Sequence, residues 1–413
     1  MASHSLDTLG VHAGRDDFRR LGVHAAPLDL STTYPIDDLA DAIRDIDTMA
    51  AGGRPERNAI YARLENPTVS RFERALAELE HADDAVAFGS GMAAVTAALL
   101  VARQRGAHVV GVRPLYGGTD HLLESRLLSL DVTWATPDTV GAAMRDDTAL
   151  VIIETPANPT LLLVDIADVV RQAGRVPVLV DSTFATPVLQ QPLAHGATLS
   201  LHSGTKYLGG HGDVMAGVIA ANDDWARALR QVRVLTGAVL HPMAAYLLHR
   251  GLQTLGVRVR AAQAGAIAIA ERLRAHPGVE RVYFPGIAAC DPRRILARQM
   301  RGPGAMLAFD VAGGFDAAAA VMRDVRMIVP AVSLGSTDTL IQHPAGLTHR
   351  VIGEAARAAE GLSPGMLRLS VGLESPDDVW ADLERALRAT LHESPAASTR
   401  RSEPSVETTT VEA

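Results

Sequence analysis

Between residues 61 and 250 the chain repeats one pattern: a short, continuous apolar run, then a segment long enough for a helix. The runs cover residues 85–88, 108–112, 132–135, 150–154, 176–181 and 216–220. They lack the apolar–polar alternation of a strand with one wet face, so both faces of each strand must be covered. The pattern predicts a mostly parallel α/β sheet with helices on both sides. One of those helices spans residues 68–81, with Val69, Phe72, Leu76 and Leu79 on one side. In such sheets ligands sit at the carboxyl ends of the strands, so those ends are where chemistry is expected.

The flanking segments read differently. Residues 1–60 form an irregular arm with short helical pieces and turn signals at Ala26-Pro27, Tyr34-Pro35 and Gly52-Gly53-Arg54-Pro55, suited to contact with another subunit. Residues 61–250 are expected to form the main domain and residues 251–391 a smaller α+β domain. The latter begins with a helix over 252–275, has strands near 306–311, 327–329 and 366–371, and ends in a helix over 377–391. Residues 392–413, rich in Ser, Thr, Pro and Glu, read as a disordered tail.

Composition narrows the function classes. Aromatic residues make up only 4% of the 413 residues, so the core must come from Ala, Val, Leu and Ile. The net charge is −8 and no long basic run occurs, which argues against a nucleic-acid partner. No uninterrupted apolar stretch reaches the length of a membrane span, and residues 1–20 lack the apolar centre of a signal peptide. Cys290 is the single cysteine; an intramolecular disulfide is impossible, which fits a reducing cytoplasm.

The basic residues carry sharper information. The chain has 38 Arg and one Lys, Lys206. A salt bridge or solvated face accepts either cation. Chemistry that requires a deprotonatable primary amine does not, because guanidinium stays charged. Lys206 lies in Ser203-Gly204-Thr205-Lys206-Tyr207, just after an apolar segment and just before Gly209-Gly210. Burial there lowers the amine's pKa and makes it a nucleophile and base. Ser203 and Thr205 can bond phosphate oxygens, although turn chemistry explains them equally well.

Asp181 ends its apolar run, where a carboxylate needs a partner; a cationic ring nitrogen is one, and the start of a turn is the competing explanation. Gly89-Ser90-Gly91-Met92 follows a strand and opens a helix, whose N-terminal amides make an anion site. Tyr116, in a loop after the 108–112 run, could stack on a planar ring or simply be a half-buried loop tyrosine. Arg368, flanked by Leu367 and Leu369, could fork onto a substrate carboxylate or hold a structural salt bridge.

Ser203-Gly-Thr-Lys-Tyr207, Val180-Asp-Ser-Thr-Phe-Ala-Thr-Pro187, Glu154-Thr-Pro-Ala-Asn-Pro159 and Tyr61-Ala-Arg-Leu-Glu-Asn-Pro-Thr68 together resemble the Cys/Met-metabolism enzymes. These are the cystathionine γ-synthase-like branch of fold-type I pyridoxal-phosphate enzymes, and the resemblance runs from about residue 8 to 391. It implies that Lys206 carries pyridoxal 5′-phosphate and later shuttles protons. Asp181 pairs with the pyridine nitrogen, and Gly91, Met92, Ser203 and Thr205 hold the phosphate. Tyr61 and Arg63 reach the phosphate of a neighbouring subunit, in a homotetramer built from two active dimers. Tyr116 stacks on the ring and assists the leaving group. Asn158, Ser333 and Arg368 hold the pyridoxal hydroxyl side and the substrate carboxylate.

Within the branch, the segments 210–213, 236–240, 332–335 and 342–344 look most like methionine γ-lyases. Val332 stands where cystathionine-handling members generally carry an acidic residue. Other positions depart from the lyases: Gly118 replaces a typical cysteine and matches homoserine-ester sulfhydrylases, Val234 replaces an acid beside Arg233, and Asp29 lies where an apolar residue is common. The implied reaction is γ-elimination from methionine or a related sulfur amino acid, giving a thiol, 2-oxobutanoate and ammonia. The alternatives are γ-replacement on an activated homoserine and a non-catalytic binding protein that keeps the fold.

Overall fold

The computed structural model describes residues 4–350, 353, 357 and 361–392; the tail expected over 392–413 therefore lies, from residue 393 on, outside the described residues. A seven-stranded sheet organises the larger part of the chain. Its strands are β1 (Asp84–Phe88), β2 (His108–Val112), β3 (Asp131–Ala135), β4 (Thr148–Glu154), β5 (Val178–Asp181), β6 (Leu199–His202) and β7 (Gly217–Ala221). Their spatial order is β1-β7-β6-β5-β4-β2-β3. Strands β2 to β6 pair in parallel, while β7 runs antiparallel to both β1 and β6.

The reversal at β7 has a local cause. A parallel return needs a crossover of a dozen or more residues, usually helical. Residues 203–216 contain turns and no helix, so the chain comes straight back. This return loop carries Lys206 and leaves it at the carboxyl end of β6.

Both faces of the sheet are covered, as the unbroken apolar runs require. Ala85 and Ala87 of β1 join one core with Phe72, Leu76, Leu79 and Leu248. Val86 and Phe88, their alternates, join another with Leu99, Trp225 and Leu229. The helix Pro67–Glu80 starts where Asn66 accepts from the backbone N–H groups of Thr68 and Val69, with Pro67 preset for the first turn.

A second sheet has the order β10-β11-β12-β9-β8, formed by β8 (Val279–Tyr283), β9 (Met306–Val311), β10 (Val329–Pro330), β11 (Leu340–Gln342) and β12 (Met366–Ser370). Strands β8 and β11 are not foreseen from sequence. β8 carries Glu280 and Arg281 in exposed positions, and β11 is three residues long, so neither makes a periodic signal. The long helix expected over 252–275 spans Leu255–Ala275, and Leu252 instead closes a separate helix, Pro242–Leu252.

A buried ionic cluster ties the first sixty residues to the sheet. Glu73 accepts from the backbone N–H of Ala87 at 2.7 Å and from Arg233 Nη1 at 2.5 Å. Arg54 Nη1 lies 3.1 Å from both Glu65 and Glu73. Asp84 accepts from Arg54 Nη2 and Arg230 Nη1, each at 2.6 Å, and Arg230 Nε donates to the carbonyl of Gly52 at 2.6 Å. Arg233 thus finds its acid on a neighbouring helix rather than at position 234. Removing one partner of such a cluster leaves an uncompensated buried charge. Glu73→Ala is expected to lower unfolding stability by about 3–5 kcal/mol, read as a shift in the denaturation midpoint. A change below about 1 kcal/mol, the range of exposed pairs, would show the cluster to be solvated.

Candidate active site

Three neighbouring strands deliver functional groups to one place. Glu154 and Asp181 are the last residues of β4 and β5 and are register partners. Lys206 lies just past the end of β6. The second sheet faces these strand ends and contributes Arg368 from the middle of β12. Between them is a cavity of about 470 Å³, lined by Gly91, Met92, Tyr116, Asp181, Lys206 and Arg368 among others.

Lys206 Nζ donates to Ser333 Oγ at 2.7 Å. Burial, and then the positive charge of Arg368, lower the amine to about 8. A minority of such an amine is neutral near physiological pH, far more than of an ordinary lysine, and the neutral form is the one that adds to a carbonyl. Arg368 is 3% exposed. Its Nη1 donates to Asn158 Oδ1 at 2.8 Å and its Nη2 to the carbonyl of Ser333 at 2.7 Å. Both acceptors are neutral, and burial pulls the guanidinium down to about 10. Its charge is therefore not spent on a structural carboxylate pair, which disfavours that explanation of its position. Ser333 serves both cations and does so at a φ of 95°, a strained conformation for a side chain of any kind.

Asp181 accepts twice from Thr183, from its N–H at 3.0 Å and from its hydroxyl at 2.6 Å, both on Oδ1. Oδ2 accepts from no donor among the described residues. Burial pushes this carboxyl up, toward the neutral form. Glu154 is also pushed well up, by burial first and by the neighbouring Asp181 second. Two carboxylates side by side, one buried and one half-buried, therefore call for a cation beside them.

Another part of the cavity lining suits an anion. The helix Gly91–Arg103 begins here, capped by Ser90 Oγ, which accepts from the N–H of Ala93 at 3.1 Å. Its first N–H groups have no intrahelical acceptor. Backbone packing is tight: a Cβ on Gly217 would lie 2.2 Å from the carbonyl of Ser90, and one on Gly91 would lie 3.3 Å from Ser203 Oγ. Only glycine at 217 permits the turn to sit this close. Ser203 and Thr205 belong to the same lining. The Thr205 hydroxyl accepts from Ala216 N–H at 3.0 Å and donates to Ala216 carbonyl at 3.2 Å, which holds the return loop in place.

Of the residues predicted from sequence, the cavity brings together Gly91, Met92, Tyr116, Asn158, Asp181, Ser203, Thr205, Lys206, Ser333 and Arg368. Tyr61 and Arg63 are not among its lining. Tyr61 is exposed, and Arg63 lies over its ring at 5.7 Å while donating to the carbonyl of Val234 at 3.0 Å. Sequence reasoning assigned no role to Glu154, Thr183, Phe184 or Thr348, all of which line the cavity. Glu154 had a signal: like Asp181, it ends an apolar run.

A lowered amine, an open carboxylate oxygen and a helix N-terminus around one cavity fit pyridoxal phosphate at its aldehyde, ring nitrogen and phosphate in turn. Fold and site together define a pyridoxal-phosphate enzyme. The family described as Cys/Met metabolism PLP-dependent enzyme matches residues 7–388, and the chain belongs to it. It is 58% identical over 392 residues to an L-methionine γ-lyase of Brevibacterium sandarakinum, covering 94% of this chain and 99% of that protein. It is 56% identical over 389 residues to an L-methionine γ-lyase of Streptomyces avermitilis, covering 94% and 90%. Among solved structures, cystathionine γ-synthase from Xanthomonas oryzae pv. oryzae in complex with cystathionine superposes with a TM-score of 0.87 at 36% identity, covering 94% of this chain and 99% of that one.

Because Lys206 is the only lysine, its titration is directly readable. Acylation of the apoprotein by an amine-directed reagent is expected to accelerate with pH with a midpoint about 8, followed by peptide mapping that separates Lys206 from the α-amine. A midpoint near that of an ordinary lysine, 10.5, would mean the amine is solvated.

Proposed function

We propose that this enzyme catalyses γ-elimination from L-methionine or a closely related thioether amino acid, giving a thiol, 2-oxobutanoate and ammonia. The observation that carries the proposal is the chemistry of the cavity wall beyond Lys206. Val332, Met215 and Leu347 line it. An apolar wall accepts a methyl thioether and offers no partner to the distal ammonium and carboxylate of cystathionine. The identity to methionine γ-lyases supports the same substrate class.

Pyridoxal phosphate, bound through the substrate amine, supplies an electron sink that acidifies hydrogens near the α-carbon. The protein's residues do the rest. Arg368 binds the substrate carboxylate through its planar fork, with Asn158 and the Ser333 carbonyl fixing the guanidinium. Lys206 Nζ takes the α-proton and then moves a proton at the β-carbon. Ser333 Oγ keeps the amine aimed into the cavity. Tyr116, at the cavity mouth, stacks on the coenzyme ring and gives its hydroxyl proton to the departing sulfur. Asp181 holds the ring nitrogen protonated, and Gly91, Met92, Ser203 and Thr205 hold the phosphate.

Tyr61 and Arg63 contribute to the phosphate site of a second subunit, so the active unit is a dimer and the assembly a homotetramer. The arm of residues 1–60 packs in that contact; Leu30, Ile36, Leu39 and Ile43 are exposed on it and supply apolar surface. Residues 61–250 and 251–391 act as the two domains around the cavity. The single cysteine and the absence of a helix able to cross a membrane among the described residues accord with a cytoplasmic enzyme.

Incubation with L-methionine is expected to release thiol and 2-oxobutanoate in equal amounts, and Lys206→Ala to lower kcat by at least roughly 10³-fold. Absence of release, with thioether formation from an acylhomoserine and a thiol, would replace the lyase by a γ-replacement transferase. Equal turnover by Lys206→Ala would refute the enzyme reading built on this amine.

A further inference from the structure

Glu154 touches two walls of the cavity. Its Oε2 accepts from the backbone N–H of Tyr116 at 2.6 Å, and its Oε1 from the backbone N–H of Asn158 at 2.8 Å. Asn158 in turn holds Arg368 at 2.8 Å, and Arg368 holds Ser333, which carries Lys206. One carboxylate thus joins the loop bearing the ring-stacking tyrosine to the residue that aims the carboxylate-binding arginine. The same Glu154 is the register neighbour of Asp181; Glu154 is buried and Asp181 half-buried.

We propose that Glu154 is a positioning residue that couples coenzyme occupancy beside Asp181 to the placement of Tyr116 and Arg368. The inference rests on the coenzyme assignment made above. With the site empty, each carboxylate's charge opposes ionisation of the other. Burial and Asp181 favour the protonated form of Glu154; the N–H groups of Asn158 and Tyr116 and the charge of Arg368 pull the other way. A cationic ring nitrogen against Asp181 removes the repulsion, and the proton leaves. An ionised carboxylate is acceptor-only and binds both N–H groups more strongly than the acid does. Coenzyme binding therefore tightens the Tyr116 loop and the Asn158–Arg368 pair before substrate arrives.

The groups that face Glu154 are Asp181 from β5, Arg368 from β12, and the backbone N–H groups of Tyr116 and Asn158. Lys206 joins through Ser333. Glu154→Gln keeps the shape, cannot ionise, and offers one acceptor oxygen where two are needed.

The test is proton release measured when pyridoxal phosphate is added to apoprotein, from about pH 5 to about pH 9, together with visible circular dichroism of the bound coenzyme. Glu154→Gln is expected to release about one proton fewer than wild type over part of that range, to show a weaker dichroic band, and to lose roughly 100-fold in kcat/KM. Glu154→Asp, which keeps the charge but shortens the reach, is expected to keep the proton release and lose the dichroism. It also serves if the Gln variant fails to fold. Identical proton counts and band intensities in wild type and variants would overturn the inference. A wild-type protein that binds no coenzyme would instead overturn the coenzyme assignment, so the two failures are distinguishable.

Discussion

Two carboxylates side by side at the ends of adjacent parallel strands are unstable company unless a cation joins them. Glu154 and Asp181 stand in that relation, and both are pushed toward their neutral forms by burial. Much of the surrounding structure follows from that constraint. Thr183 and two backbone N–H groups satisfy three of the four oxygen positions, leaving Asp181 Oδ2 open to the cavity. In the proposed reading, a protonated ring nitrogen of the coenzyme would complete the set.

The positive groups are distributed with equal economy. Arg368 and Lys206 share Ser333, one through its carbonyl and one through its hydroxyl, so two cations sit close together in a low-dielectric cavity. Burial lowers both, and the charge of Arg368 lowers the amine further. For the guanidinium, down to about 10, this still leaves a full charge at neutral pH; for the amine, down to about 8, it makes the neutral nucleophile accessible. The difference explains why an arginine-rich chain keeps a lysine at this one position: only a primary amine passes through the neutral state that covalent chemistry needs.

How much of this is legible in the sequence depends on the length of the element and the number of chain segments involved. The main sheet is readable because most of its strands, β1, β2, β4, β6 and β7, are buried along their whole length, so burial writes itself into every residue of them. Strand β11, three residues long, and the half-exposed β8 leave no such trace. In the site, Lys206 and Asp181 announce themselves by composition and by their strand-end setting. Glu154 has the same setting, but its importance comes from which two N–H groups it reaches, and those lie in loops 38 residues before and 4 residues after it. Contacts of that kind are products of the assembled sheet. The pairing of Arg233 with Glu73, 160 positions away, is invisible for the same reason. Tyr61 and Arg63 mark a further limit, since within a single chain they lie away from the cavity that motif resemblance connects them to.

The most direct measurement is reduction of the coenzyme-loaded protein with borohydride followed by peptide mass mapping. The account predicts loss of the visible coenzyme band and a pyridoxyl-phosphate adduct on the peptide containing Lys206. Finding the adduct only on the N-terminal amine, or finding no adduct in a protein that retains its fold, would contradict it.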